Sequence, residues 1–204
     1  MMSRVPIPPR MQHLSRDERG YAIPHTVLID SKGTAHFAVN DELRRQQILR
    51  DDCCAICGQK LLRGRWSVGG PLSLLDPRGA LIDPPMHYEC SHYALEACPY
   101  IAAPNYSKRI DAKTVPKEEG LVYMDPTEIP RRPDVFVAAM HIGQTFKKEG
   151  RFIRYIRPNR PFRQIEYWRQ GKQLDPVEGK ERAERSMLEY WESLKETEME
   201  TTSK

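Results

Sequence analysis

Two short groups of residues hold most of the chemistry open to this chain. Cys54-Ala-Ile-Cys57-Gly58 is a CxxC followed by glycine, and His87-Tyr-Glu-Cys90 stands further along. A CxxC at a tight turn lets two thiolates reach one tetrahedral ion. The trailing glycine lets the chain reverse, so that backbone N–H groups point at the sulfurs. His87 and Cys90 are three apart and share a face if a helix begins there, and the positive end of that helix favours a thiolate. A turn with two ligands, a hairpin, and two ligands in the first turn of a helix describe a treble-clef-like Zn2+ site. Four protein ligands leave no position for water, so the expected ion is structural rather than catalytic.

Two further cysteines compete for the ion. Using Cys53 would make a CxxxC with its side chain pointing away. Cys98 lies eleven residues beyond His87, about 16 Å along a continuous helix at 1.5 Å per residue. Metal–ligand bonds of about 2.0–2.3 Å cannot span that. Its expected role is that of a small buried apolar side chain. A redox role for the CxxC lacks the strand–helix setting it needs.

The elements that must position these residues can be read from pattern. HTVLIDSKGTAHFAV (25–39) reads as a β-hairpin about Gly33, and Asn40 or Asp41 can cap a helix from Glu42 to Arg50. Short strands are expected in 65–85, then a helix over 86–98 stopped by Pro99. Pro99 to Arg132 reads as loop. DVFVAAMHI (134–142) reads as a strand, and the turn KKEG (147–150) leads into RFIRYI, giving a second hairpin over 134–156. PFRQIEYWRQG (161–171), between Pro161 and Gly171, reads as a short helix. Asp175-Pro176 opens a long helix to about residue 197, with Met187, Leu188, Trp191 and Leu194 as a narrow apolar stripe. The expected fold class is α+β: a treble-clef-like zinc site with short β-hairpins and a C-terminal helix. The expected organisation is an extended arm (1–24), a zinc-containing domain (25–132), and a hairpin with C-terminal helices (133–200) packed on the same core or exchanged between copies in a homo-oligomer.

Apolar residues make up 39% of the 204 and charged residues 29%, which allows a core, though a thin one. No window approaches 18 uninterrupted apolar residues, so no membrane-spanning helix is expected. The N-terminus lacks the apolar run of a signal peptide. Five cysteines without an export signal favour metal over disulfides and place the protein in the cytoplasm.

Charge is unevenly placed. Residues 131–173 hold eleven Lys/Arg against three Asp/Glu, and 174–204 nine Asp/Glu against five Lys/Arg. Within the basic part, Arg151, Arg154, Arg157, Arg160 and Arg163 recur at every third position. Period three matches an extended polyproline-like chain better than a strand or helix. As a strand, 151–156 would put Phe152, Arg154 and Ile156 on one face and Ile153, Tyr155 and Arg157 on the other, a charged edge. These arginines, with Tyr155 and Trp168, have the composition of a protein–protein hot spot and, alternatively, of a nucleic-acid surface.

The blocks HLSRDERGYAIPHTV (13–27), CAICG (54–58), PPMHYECSHYALEACPY (84–100) and EYWRQGK (166–172) resemble a family of uncharacterised small proteins of bacteria and their phages, actinobacteriophage-type. The family carries CxxCG, PPxHxxC and ACPF/Y blocks, and the likeness runs through most of the chain in order. It implies a phage-type protein of the bacterial host cytosol with Cys54, Cys57, His87 and Cys90 as its metal set. It names no activity. Cys98 also falls in a family block. The Arg-rich stretch and the charged C-terminal helix depart from the family pattern.

Treble-clef frameworks include HNH-like metal-dependent nucleases, which need a histidine in the hairpin as general base and another on the helix. Residues 58–86 contain no histidine, and His92 would have no partner there. The chain therefore reads as a non-enzymatic accessory protein. Its expected partner is a host or phage protein, with nucleic acid as the alternative and nuclease activity as the minor one.

Overall fold

The structure is a computed structural model that describes residues 5–103, 123–124 and 132–202; for 123–124 and 196–202 only the path of the chain is described. Its elements run β1 (Val27–Ile29), β2 (Ala35–Asp41), α1 (Glu42–Arg50), β3 (Arg65–Gly69), α2 (Pro71–Leu74), α3 (Tyr88–Ala97), α4 (Pro99–Ala102), β4 (Tyr123–Met124), β5 (Phe136–His141), β6 (Gln144–Glu149), β7 (Phe152–Pro158), β8 (Gln164–Arg169), β9 (Lys172–Gln173) and α5 (Pro176–Thr202). All strand pairs are antiparallel, in sheets ordered β1-β2-β4, β3-β5-β8-β9 and β6-β7. The protein is α+β, as expected. The loop expected between Pro99 and Arg132 lies mostly outside the described residues, although its first four residues form α4.

β5 organises the core because its sequence, FVAAMH, is apolar on both faces. Phe136 and Ala138 face α3 and join Met11, Trp66, Met86, Leu95 and Trp168 in one cluster. Val137 and Ala139 face the other way and join Leu74, Leu81, Tyr167 and Ala183 of α5. The result is a sheet with α3 on one side and α2 with α5 on the other. Gly179 of α5 lies so close to Tyr167 that an added Cβ would come 2.3 Å from the tyrosine Cβ. The first residues do more than wrap the surface. Met11 is fully buried beside α3, and Ala22 N–H donates to Tyr93 Oη at 3.1 Å.

Three local readings need correcting. Residues 161–171 are not a helix: QIEYWR is strand β8, hydrogen-bonded to β5. The period-two alternation of Ile165 and Tyr167 against Glu166 and Trp168 suits a strand covered on both faces. Gln170 and Gly171 both have positive φ (51° and 75°) and turn β8 tightly into β9, the backbone a two-residue hairpin requires. Gly171 thus makes a hairpin rather than ending a helix. The second hairpin is also shorter than expected. β5 does not pair with 151–156; it bends away at Gly143 (φ 79°), and β6 pairs with β7 instead. Finally, the helical stripe on α5 is not core. Ala183 is buried, whereas Leu188 and Leu194 are exposed and Trp191 lies under the Arg78 guanidinium, 4.3 Å from its ring centroid.

The β6-β7 hairpin is docked by a buried polar network. Arg45 of α1 is 0% exposed. Its guanidinium donates to the carbonyls of Ile82 (2.7 Å), Ile153 (2.8 Å) and Arg154 (3.0 Å) and to Glu42 Oε1 (3.0 Å). Gln46 donates to Ile153 O at 2.8 Å and accepts from Ile153 N–H at 3.0 Å. β7 thereby finds side-chain partners along the edge that β6 does not cover. Of the two caps read from sequence, Asp41 is the one used, accepting from Arg44 N–H at 3.0 Å.

A second buried polar pair lies across β3 and β5. His141 Nδ1–H donates to Gly143 O at 2.7 Å, so Nε2 accepts from Ser67 Oγ at 3.0 Å. Burial holds this imidazole down to about 4, with the Arg65 charge acting in the same direction.

Two outcomes are expected. Arg45→Met removes the charge paired with buried Glu42 and the side-chain donor of the Ile82 and Arg154 carbonyls, leaving Gln46 on Glu42 and Ile153 O, and lowers the unfolding free energy by about 3–5 kcal/mol, measured by urea titration. His141 binds its proton more weakly folded than unfolded, so its contribution is complete above the ordinary histidine value and is lost as pH falls toward 4. His141→Gln should remove about 3 kcal/mol of the stability difference between neutral pH and pH 4.

Candidate metal centre

The chain builds this site from a knuckle and a helix start. Cys54 N–H donates to Gln59 O at 2.8 Å and Gly58 N–H to Cys54 O at 2.9 Å, and Cys53 bridges Lys60 in antiparallel fashion. Gly58 has φ 71°, and a Cβ there would lie 2.9 Å from His25 Nδ1. Both the backbone and the space therefore require glycine. Backbone N–H groups of Cys57 and Gln59 point at the sulfurs of Cys54 and Cys57 respectively. The chain then runs through β3. Trp66 and Met86 exchange two backbone hydrogen bonds of 2.8 Å, which returns the chain to α3. His87 is the N-cap of α3 and Cys90 lies in its first turn.

These elements bring Cys54, Cys57, His87 and Cys90 together. All four are buried, and one ligand atom from each lies within 4.8 Å of the others. Cys57 Sγ is 3.3 Å from His87 Nδ1. His87 Nε2 is 2.9 Å from Lys60 O, which can only accept, so Nε2 carries the proton and Nδ1 presents its lone pair to the cluster. Neither Cys53 nor Cys98 belongs to the group. Cys53 lies near Asp51 O at 3.4 Å, and Cys98 is the half-buried C-cap of α3.

The donor chemistry fits a cation. Three buried sulfurs in contact cannot all ionise unaided. Hydrogen bonds from the Cys54 and Cys90 thiols hold Cys57 well below the ordinary thiol range. Burial and the hydrogen bond shared with Cys57 push Cys54 up, and the two shared hydrogen bonds, with burial, push Cys90 up. The three thiols oppose one another's ionisation, and a divalent ion would relieve that by taking the place of their protons. Three thiolates and one imidazole complete a tetrahedron, and the set could hold a metal ion without water.

The other sequence candidates do not form one surface. Trp168 is 4% exposed and donates through Nε1 to Glu166 Oε2 at 3.1 Å. Arg160 caps α2: it donates to Leu75 O (3.0 Å), Asp76 O (2.7 Å) and Leu74 O. Arg163 is exposed just before β8. Arg151, Arg154, Tyr155 and Arg157 lie on the β6-β7 hairpin. Arg154 is 3.7 Å from Glu149, and Arg157 donates to Arg78 O at 3.3 Å. A bulge corrects the expected alternation here. Lys147 pairs with Tyr155 and Lys148 with Ile153, so Arg154 is the extra residue. Ile153 and Ile156, three apart, therefore both turn inward onto Leu49, and Tyr155 and Arg157 turn outward. His92, the helix histidine a nuclease would use, donates to Glu166 Oε2 at 2.8 Å and lies against the rings of Tyr88, Trp66 and Trp168. Sequence reasoning missed Arg45, Glu42 and Gln46, which carry no signal beyond a capped helix.

Cys90→Ser should lose stoichiometric metal and lower the melting temperature by about 10 °C or more. Cys98→Ser should keep one ion per chain. Metal analysis and thermal unfolding on the same samples check both.

No family model, no curated protein and no solved structure matches the chain.

Proposed function

We propose that Cys54, Cys57, His87 and Cys90 hold one structural Zn2+ in a treble-clef-like site, and that the protein is a non-enzymatic accessory protein of phage type that works in the bacterial cytosol by binding another macromolecule. The observation that carries this reading is the donor set itself: four buried protein ligands, one of them fixed in its tautomer by Lys60 O. Such a site has no open position for substrate or water. The confinement of His92 by Glu166 and three aromatic rings supports the same reading. No helix among the described residues is long and apolar enough to cross a membrane.

Two surfaces offer themselves to a partner. A protein partner is favoured by α5, where Val177, Leu188 and Leu194 stand exposed along one long helix. A nucleic acid is favoured by the cationic side chains of the β6-β7 hairpin.

Incubated with plasmid and Mg2+ or Mn2+, the zinc-loaded protein should leave the DNA intact. Affinity capture from bacterial lysate should retain a partner either in spite of nuclease treatment, as a protein, or only without it, as a nucleic acid. Plasmid cleavage that disappears in His92→Ala would overturn the non-enzymatic reading.

A further inference from the structure

We infer that the outward face of the β6-β7 hairpin is a docking surface for B-form duplex DNA. This rests on the reading above that the protein acts by binding a macromolecule, and it names the surface and the partner. The hairpin holds five cations, Lys147, Lys148, Arg151, Arg154 and Arg157, against one anion, Glu149. The register sorts them. Thr145 faces Arg157, Lys147 faces Tyr155 and Glu149 faces Phe152 across the strands, so these six share one face, with Glu149 at its turn end beside Arg154. On the opposite face Ile153 and Ile156 pack on Leu49, while their partners Lys148 and Phe146 are exposed, so Lys148 lies apart from the other cations. The Lys147 ammonium and the Arg154 guanidinium lie 5.5 Å and 5.6 Å from the Tyr155 ring centroid, which gathers positive charge around one aromatic. The bulge at Arg154 creates this concentration, because without it Ile153 would turn outward and Arg154 inward.

Shape selects among polyanions. An antiparallel two-stranded ribbon has strands about 4.8 Å apart and fits the B-DNA major groove, about 12 Å wide. The major groove of an RNA duplex is too narrow to admit it. A single strand would need successive aromatics free to stack its bases; this face offers Tyr155 and Phe152, and each already has a cation against its ring. The hairpin is also held firmly: Arg45 and Gln46 tie β7 to α1 through four hydrogen bonds to Ile153 and Arg154 backbone atoms. A ribbon so anchored can present its charges without first ordering.

The test is binding of the zinc-loaded full chain to a DNA duplex of about 20 base pairs, to single-stranded DNA and an RNA duplex of similar length, and to poly-glutamate, from about 50 to 200 mM salt. The DNA duplex should bind tightest, with a log–log salt slope of about −4. The double variant Lys147→Gln/Arg157→Gln should lose about tenfold in affinity at the lowest salt and flatten the slope by about 2. Lys172→Gln, on exposed β9, should leave both unchanged. Metal content and thermal unfolding on each variant separate lost contact from lost fold. Failure to bind duplex, equal or tighter binding to single strands, RNA or poly-glutamate, or an unchanged slope in the double variant would each overturn the inference. A nuclease-resistant protein captured from lysate alongside such a failure would leave the proposed function standing and remove this partner from it.

Discussion

Three sulfur atoms and an imidazole nitrogen within 4.8 Å of one another form the constraint on which the rest of the molecule depends. Left to themselves, buried thiols at that spacing share protons and compete for a single negative charge. A divalent ion, as proposed, would turn the competition into a clamp between the 54–57 knuckle and the start of α3. Helix α3 then has a fixed position, and one whole face of the β3-β5-β8 sheet packs on it through Trp66, Phe136, Ala138 and Trp168. The first described residues join the same cluster through Met11 and Ala22. In a chain with mean hydropathy −0.66 and 39% apolar residues, the proposed metal cross-link at the centre of the larger cluster would add to what a thin apolar core supplies.

Away from the Cys/His cluster, arginine closes irregular backbone. Arg45, Arg132 and Arg160 each donate to two or three main-chain carbonyls: those of β7 and Ile82, of Tyr100 and Ile101, and of the end of α2. A guanidinium suits this because its five donors fan out in one plane and its charge strengthens every bond. The five-arginine run is therefore two things at once. Its last two members belong outside the hairpin, and Arg160 is a helix cap. Its first three decorate a ribbon that buries Ile153 and Ile156 against Leu49.

Much of the site was legible in the sequence because its ligands have tight spacing and fixed chemistry. CxxCG and HxxC each describe one local backbone shape, and that shape decides where the donors point. A cap at Asn40 or Asp41 was legible for the same reason, and the structure uses Asp41. What could not be read depended on distant partners. β8 is flanked by Pro161 and Gly171 as a helix would be, and only pairing with β5 makes it a strand. The bulge at Arg154 is set by the register with β6 and reverses the faces that simple alternation assigns. Arg45 and Gln46 sit in a helix of strongly polar composition, and nothing local marks their face as the buried one. Trp168 invited a surface role by composition, yet the partner for its indole N–H is Glu166, two residues away on the same strand face.

X-ray absorption at the zinc edge on protein purified with its native metal tests the central claim most directly. The account predicts one zinc per chain, three sulfur neighbours near about 2.3 Å and one nitrogen near about 2.0 Å, with no oxygen shell. A metal-free protein that remains folded, or a shell containing oxygen or fewer than three sulfurs, would contradict it.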